Sequence, residues 1–125
     1  MLYTSDMRLH HSLKHAFDGV LHAFSEHSNM RLHFLAGTTI ILISFYLGLS
    51  RTEVVVLLFT IALVLITEMI NTAIESMTDL ITKDYRLEAK IAKDVSAGMV
   101  LLTACLSVIV GLFILGPHLL SFLKP

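Results

Sequence analysis

Residues 54–81 read VVVLLFTIALVLITEMINTAIESMTDLI, and this stretch decides the fold. Its first half is almost wholly apolar, whereas its second half carries Glu68, Asn71, Glu75 and Asp79. An apolar run of this length predicts a helix that enters a membrane core of about 30 Å. A carboxylate deep in such a core costs about 2.5–3.5 kcal/mol on insertion scales, so the acidic half is a candidate functional site.

The composition of the whole chain agrees with a membrane protein. Of its 125 residues, 55% are hydrophobic and only 15% are charged, and the mean hydropathy is +0.78. Soluble domains usually have roughly 45–50% apolar and about 25% charged residues. We therefore predict one small integral membrane domain covering residues 1–125. The net charge of -1, with no basic stripe to neutralise phosphates, excludes a nucleic-acid partner.

The single cysteine, Cys105, lies in an apolar run. One cysteine predicts neither a disulfide framework nor a thiol metal site. We expect a small buried residue at this position, and pairing between subunits stays open.

The fold class predicted is an all-α integral membrane protein with one surface helix and three transmembrane helices. Apolar residues from Leu9 to Phe24 recur on one face, which predicts an amphipathic helix over about 6–26, lying in the membrane interface. A helix packed on a soluble partner is the alternative. The three spans are predicted at about 31–49, 54–82 and 87–116. The last helix is expected to end at Gly116-Pro117, because this pair is a helix-stop signal.

Basic residues are distributed unevenly around these spans. The N-terminal side and the 83–93 loop hold most of them, namely Arg8, Lys14, Arg31, Lys83, Arg86, Lys90 and Lys93, whereas Arg51 and Lys124 lie on the other side. The positive-inside rule then places the N-terminus and the 83–93 loop in the cytoplasm. We expect a multi-pass protein of the cell membrane.

The polar residues of the second span share one face of their helix. At ~100° per residue, positions 68, 71, 75 and 79 fall within a strip about 80° wide. Counting ~1.5 Å per residue from Val54 puts Glu68 about 21 Å into the core and Glu75 about 31 Å in. The strip therefore runs from hydrocarbon to water. Hydrogen bonds to neighbouring helices are the structural alternative.

This strip suits phosphoryl transfer more than other chemistry. Neither GxxxxGK[ST] nor GxGxxG occurs, so nucleotide phosphates would be met by Lys93 and by divalent cations. Glu75 is a hard oxygen ligand that suits Mg²⁺. Glu68, set ~10 Å deeper by the helical rise, could accept a proton from a lipid hydroxyl. Phosphoryl transfer needs mainly positioning and charge stabilisation, so this small set can suffice.

Two strings carry a family resemblance. EMINTAIESMTD, from Glu68 to Asp79, followed by AKDVSAG from Ala92, resembles the signature of the prokaryotic diacylglycerol kinase and undecaprenol kinase family. The resemblance implies an ATP-dependent lipid kinase with Mg²⁺ as cofactor, and a homotrimer whose neighbouring subunits share active sites. It implies Glu68 as catalytic base and Glu75 as ligand of the Mg²⁺ that bridges the ATP phosphates. The implied ATP-binding residues are Arg8, His15, Glu26, Asn71, Glu75, Asp79, Asp84, Tyr85, Arg86, Lys93 and Asp94.

One position departs from the family pattern. The family has a second metal-binding Glu three residues before the aromatic residue or Met that precedes an Arg at the entry to the first span. Counting back from Met30, that position holds His27, and Glu26 precedes it. A neutral imidazole suits Mg²⁺ poorly. Either Glu26 reaches in through a local shift, which we favour, or Glu75 carries the cation with water.

The acceptor lipid is the last question that the sequence raises. Candidate lipid contacts are Glu68, His33 and Ala97, although a polar residue at headgroup depth explains His33 equally well. The strings NTAIE, DLIT and RLH resemble the branch that favours undecaprenol, and diacylglycerol is the alternative acceptor. Non-catalytic membrane subunits and cation channels are the remaining classes, but residues 54–65 offer no polar path for a channel.

Overall fold

The computed structural model is all-α and describes residues 3–124, with side chains from residue 8 onward. Its helices are α1 (Tyr3–Glu26), α2 (Ser28–Tyr46), α3 (Arg51–Ile81) and α4 (Leu87–Leu123). The predicted all-α class with four helices is confirmed. Residues 1, 2 and 125 of the assigned domain lie outside the described part.

Only His27 separates α1 from α2, so α2 begins three residues before the predicted start at 31. The last carbonyls of a helix lack intrahelical partners. Arg31 Nη1 donates to Ser25 O at 2.7 Å and lies 3.3 Å from Phe24 O, which satisfies the end of α1 from within α2. Phe24 and Phe34 also meet edge to face, with ring centroids 5.3 Å apart. The joint therefore needs no longer loop.

The turn from α2 to α3 is closed by local backbone chemistry. Gly48 has φ +68, and the N–H groups of Gly48 and Leu49 bond to carbonyls in the last turn of α2, a Schellman motif. Ser50 then caps α3: its hydroxyl accepts from the Glu53 N–H, and the Glu53 carboxylate accepts from the Ser50 N–H. This capping box fixes where α3 starts.

Helices α2 and α3 run antiparallel and approach closely at Gly37. A Cβ added there would meet Ile61 Cγ2 at 2.6 Å. Small residues at such crossings let helix backbones approach in membranes. Gly37 thus brings the first turns of α2 alongside the second half of α3.

Helix α4 packs mainly on α3 and continues through Pro117 to Leu123. The predicted end at Gly116-Pro117 is therefore wrong. Proline removes one backbone hydrogen bond, but helices tolerate this where neighbouring groups hold the chain. Here His118 Nε2 lies 2.9 Å from Glu53 Oε1, and the rings of Phe122 and Tyr46 are 5.8 Å apart. These contacts keep the last turns of α4 against the other helices.

Among the described residues, the chain buries six polar side chains beside five apolar ones and leaves many large apolar side chains exposed. The polar residues that it buries are Ser44, Thr67, Glu68, Asn71, Thr72 and Ser96. Within residues 3–124, α3 and α4 are long and apolar enough to cross a membrane. Only 17% of the most apolar 18-residue stretch of α3 is buried, and only 6% of that of α4. Such inverted packing favours a membrane protein. Cys105 is exposed, which contradicts the expected burial: it lies on the outward face of α4. Helix α2 does not meet the same criterion, so the third span stays a prediction.

Candidate active site

The predicted strip on α3, formed by Glu68, Asn71, Glu75 and Asp79, runs from the interior to the end of the helix. The exposed fraction of the side chain rises from 2% at Glu68 to 35% at Glu75 and 65% at Asp79. Glu68 and Glu75 line the same cavity, of about 380 Å³, between α2, α3 and α4. We call it the inner cavity. Its lining residues are Asn29, His33, Glu68, Asn71, Glu75, Ala97, Val100, Leu101 and Ala104.

Glu68 is the most deeply buried member of the strip. Its Oε1 lies 3.3 Å from His33 Nε2 of α2, but the ring N–H is not aligned for a hydrogen bond, and this buried oxygen has no hydrogen-bond partner among the side chains that the structure describes. A buried polar atom without a partner costs about 1–3 kcal/mol. We call Glu68 and His33 the inner pair. Its geometry leaves one buried carboxylate oxygen unsatisfied, and a small movement of the side chain would let this oxygen accept a hydrogen bond from a hydroxyl group in the cavity.

Glu75 lies two turns further along α3 and has two partners. Asn71 Nδ2 donates to its Oε1 at 3.1 Å, and His27 Nδ1 lies 3.7 Å from its Oε2. We call Glu75 and His27 the outer pair. The expectation that Glu26 reaches in is not met: Glu26 is the exposed last residue of α1. The physical reason is the one-residue joint, which the guanidinium of Arg31 holds closed.

Ser96 of α4 joins the strip and was not predicted. It is fully buried, and its hydroxyl donates to Asn71 Oδ1 at 2.7 Å, with the carbonyl of Lys93 at 2.9 Å as the alternative acceptor. This bond orients the Asn71 amide so that its nitrogen faces Glu75. The sequence signal was present but weak, because Ser96 lies one helical turn after Lys93 in AKDVSAG.

A second cavity, of about 480 Å³, lies where the α3–α4 loop meets both helices. We call it the loop cavity. Lys93 Nζ donates to Asp79 Oδ1 at 2.5 Å there, and Lys90 pairs with Asp94. Its lining residues are Thr78, Asp79, Thr82, Lys83, Asp84, Tyr85, Arg86, Ala89, Lys90, Lys93 and Asp94. Lys83 and Lys90 were missed as members of this site, although their charge and position in the loop pointed to it. Anionic groups would find several cations in this cavity.

Arg8 and His15 are not brought to either cavity. Both lie on α1 and are exposed, and the His15 ring is 6.0 Å from that of His11. Ala97, by contrast, lies on the wall of the inner cavity beside Glu68. The site within one chain is therefore built from α2, α3, α4 and the loop.

Among residues 3–124, no group of three or more His, Cys, Asp and Glu side chains is arranged to hold a metal ion by itself. Glu75 offers one carboxylate with an adjacent amide from Asn71. Mg²⁺ commonly binds one or two carboxylates and takes its other ligands from water and substrate phosphates. The donor set therefore fits Mg²⁺ that is also bound by phosphate oxygens.

Comparisons with known proteins identify the family of this chain. The family model for prokaryotic diacylglycerol kinase matches residues 14–115. A protein of Synechocystis sp. named diacylglycerol kinase is 44% identical over 113 residues, which cover 90% of this chain and 65% of the relative. The undecaprenol kinase of Bacillus subtilis is 35% identical over 90% of this chain and 91% of its own length. A diacylglycerol kinase of Haemophilus influenzae is 28% identical over 76% of this chain and 80% of its own length.

Proposed function

Because the chain belongs to the prokaryotic diacylglycerol kinase family, we propose that it is a membrane lipid kinase. It transfers the γ-phosphoryl group of ATP to the hydroxyl group of a membrane lipid. The observation that carries the proposal is the buried Glu68, which has an unpartnered Oε1 and lines the same cavity as Glu75. A base shielded from water suits a lipid alcohol. A carboxylate nearer the surface suits the Mg²⁺ that neutralises the phosphates of a nucleotide.

Each residue of the strip has a separate task in this proposal. Glu68 accepts the proton of the lipid hydroxyl as its oxygen attacks the γ-phosphorus. Glu75, oriented by Asn71, holds Mg²⁺, which would neutralise charge on the phosphates when bound. Lys93 exchanges its contact with Asp79 for a phosphate oxygen, since the two groups are in a partly exposed ion pair. Glu26 belongs to the ATP side only if the α1–α2 joint opens.

The loop cavity is the proposed nucleotide site. Its lysines would meet the phosphates, and Asp84, Tyr85 and Arg86 would contact the nucleoside. Asp94 is held by Lys90, and this pair borders the same space. Arg8 and His15 contribute only from a neighbouring subunit, because they line neither cavity of their own chain.

We also propose that the chain has three membrane spans and forms a homotrimer. Helix α2 has 19 residues, enough to cross most of a bilayer, and presents apolar side chains to its surroundings. The basic residues of α1 and of the 83–93 loop support a cytoplasmic N-terminus and a cytoplasmic loop by the positive-inside rule. A single chain leaves both cavities open on one side, and a homotrimer in the cell membrane would close them.

Undecaprenol is the first acceptor that we propose, because NTAIE, DLIT and RLH resemble the undecaprenol kinase branch. Diacylglycerol is the second, favoured by the 44% identity to a relative that bears that name. His33 and Ala97 would contact the acceptor near its hydroxyl, since both line the inner cavity.

The test is direct transfer of phosphate. The purified full-length protein is supplied with radiolabelled ATP, Mg²⁺ and either lipid in matched detergent micelles. We expect labelled lipid, with a larger kcat/KM for undecaprenol. Labelled product from diacylglycerol alone would replace the acceptor. Absence of labelled lipid with both acceptors would contradict the proposed function.

A further inference from the structure

His33 lies where two cavities meet. It lines the inner cavity with Glu68, and it also lines an apolar cavity of about 180 Å³ among α2, α3 and α4, together with Gly37, Ile61 and Val64. An apolar molecule that ends in a hydroxyl group fits this junction, with its chain in the apolar cavity and its hydroxyl beside Glu68. His33 is therefore placed at the polar end of such a molecule.

Glu68 is almost fully buried, whereas His33 is partly exposed. The Glu68 side chain is 2% exposed and that of His33 is 24% exposed, with 3.3 Å between Oε1 and Nε2. The other titratable group that lines these cavities is Glu75 of α3; α4 contributes only Ala97, Val100, Leu101, Ala104, Ser107 and Val108, and α2 adds Asn29. Histidine is thus the titratable neighbour of the buried carboxyl group.

We propose that His33 unloads the proton that Glu68 takes from the substrate hydroxyl; this inference rests on the proposed lipid kinase function and deepens it. The lipid O–H bond breaks and its proton passes to Glu68 Oε1. The lipid oxygen bonds to the γ-phosphorus, and the bond from that phosphorus to the bridging oxygen breaks, with its electron pair leaving on ADP. The His33 ring then turns so that its neutral Nε2 faces Glu68 Oε1 and takes the proton, and the resulting imidazolium releases a proton to solvent.

His33 acts through Glu68 and is in this sense a positioning residue. It must be neutral at Nε2 to receive the proton, so its protonation at low pH should stop turnover. A histidine side chain free in water changes charge between about pH 5 and 8, and this interval is called the histidine range below. A group that only contacted lipid would change KM without changing the pH dependence of kcat.

The experiment compares the full-length wild type with His33→Gln and with His118→Gln, a matched change at a histidine that contacts Glu53 outside the cavities. Lipid phosphorylation is measured at saturating ATP across the pH range. We expect wild-type kcat to rise with pH through the histidine range. We expect His33→Gln to lower kcat by roughly 10- to 100-fold with little change in KM, and to lose that rise, while His118→Gln keeps it.

Chemical rescue separates proton transfer from packing. Added imidazole should raise kcat of His33→Gly and leave His118→Gly unchanged. Wild-type kcat without a rise in the histidine range, or a rise that persists in His33→Gln, would overturn the inference even if a variant folded poorly. An increase in lipid KM alone would overturn it too and leave His33 as a lipid contact. If the wild type phosphorylates no lipid, the proposed function itself fails, which is a distinguishable result.

Discussion

Two glutamate–histidine contacts lie at different depths in the helix bundle, one at the start of α3 and one near its middle, and they differ in how completely the carboxylate is satisfied. Glu53 at the start of α3 accepts from the N–H and hydroxyl of Ser50 at 2.8 and 2.7 Å, and from His118 Nε2 at 2.9 Å. Glu68 has a similar histidine neighbour, but its Oε1 lacks an aligned donor. Its side chain is also far less exposed, at 2% against 32%.

This difference indicates that the Glu53 carboxylate is structural and that the Glu68 carboxylate is not. At Glu53 the hydrogen bonds cap a helix and tie the ends of α3 and α4 together, so every oxygen has a partner. At Glu68 a buried oxygen is left without one, which costs stability unless another molecule supplies a donor. The chain thus tolerates an unsatisfied carboxylate oxygen at the position where a substrate hydroxyl is proposed to bind.

The largest effect should come from exchanging the two glutamates for glutamine. Glu68→Gln keeps the shape but cannot accept the substrate proton, so we expect kcat for lipid phosphorylation to fall by about 10²–10⁴-fold. Glu53→Gln keeps most of the cap, and we expect kcat to stay unchanged. Steady-state assays of both variants measure this directly. An equal loss of kcat in both variants, with folding retained, would contradict the distinction between a structural Glu53 and a catalytic Glu68.

A smaller effect should follow from removing the hydroxyl that orients Asn71. Ser96→Ala leaves Asn71 Oδ1 buried without its donor, which we expect to cost about 1–3 kcal/mol of stability. The matched change Ser121→Ala, at an exposed serine near His118, should cost almost nothing. Thermal unfolding of the two variants in one detergent checks the difference. A Ser96→Ala protein as stable as the wild type would show that this bond does not hold the site.

The smallest effect concerns the spacing between α2 and α3. This spacing brings His27 and His33 to the strip. At Gly37 an added Cβ would meet Ile61, whereas at Gly111 nothing lies within 4 Å. Overpacking commonly costs about 1–3 kcal/mol, while Gly→Ala in a helix gains up to about 1 kcal/mol. Gly37→Ala should therefore unfold at a lower temperature than Gly111→Ala. The reverse order would mean that the close approach does not matter.

The sequence predicted what depends on one helix at a time. Helical periodicity placed Glu68, Asn71, Glu75 and Asp79 on one face, and the apolar run before them indicated the depth of Glu68. The same reasoning failed for the end of α4, because the contact between His118 and Glu53 spans 65 residues and no local pattern reports it.

Contacts between helices were beyond the sequence for the same reason. That His33 meets Glu68 and that Ser96 bonds to Asn71 depends on the relative positions of packed helices. The α1–α2 joint shows this most clearly: the guanidinium of Arg31 closes the end of α1, so His27 rather than Glu26 lies beside Glu75. Charge and spacing alone favoured the carboxylate.

Glu68 of the inner pair is proposed to accept the substrate proton, and Glu75 of the outer pair is proposed to serve nucleotide binding. The most direct measurement titrates Mg²⁺ and a non-hydrolysable ATP analogue into full-length Glu68→Gln and Glu75→Gln. We expect Glu68→Gln to bind the analogue like the wild type although its kcat for lipid phosphorylation is much lower. Glu75→Gln should bind it at least about tenfold more weakly, equal to about 1.4 kcal/mol. Equal affinity of the two variants, or loss of binding in Glu68→Gln alone, would contradict these proposed roles.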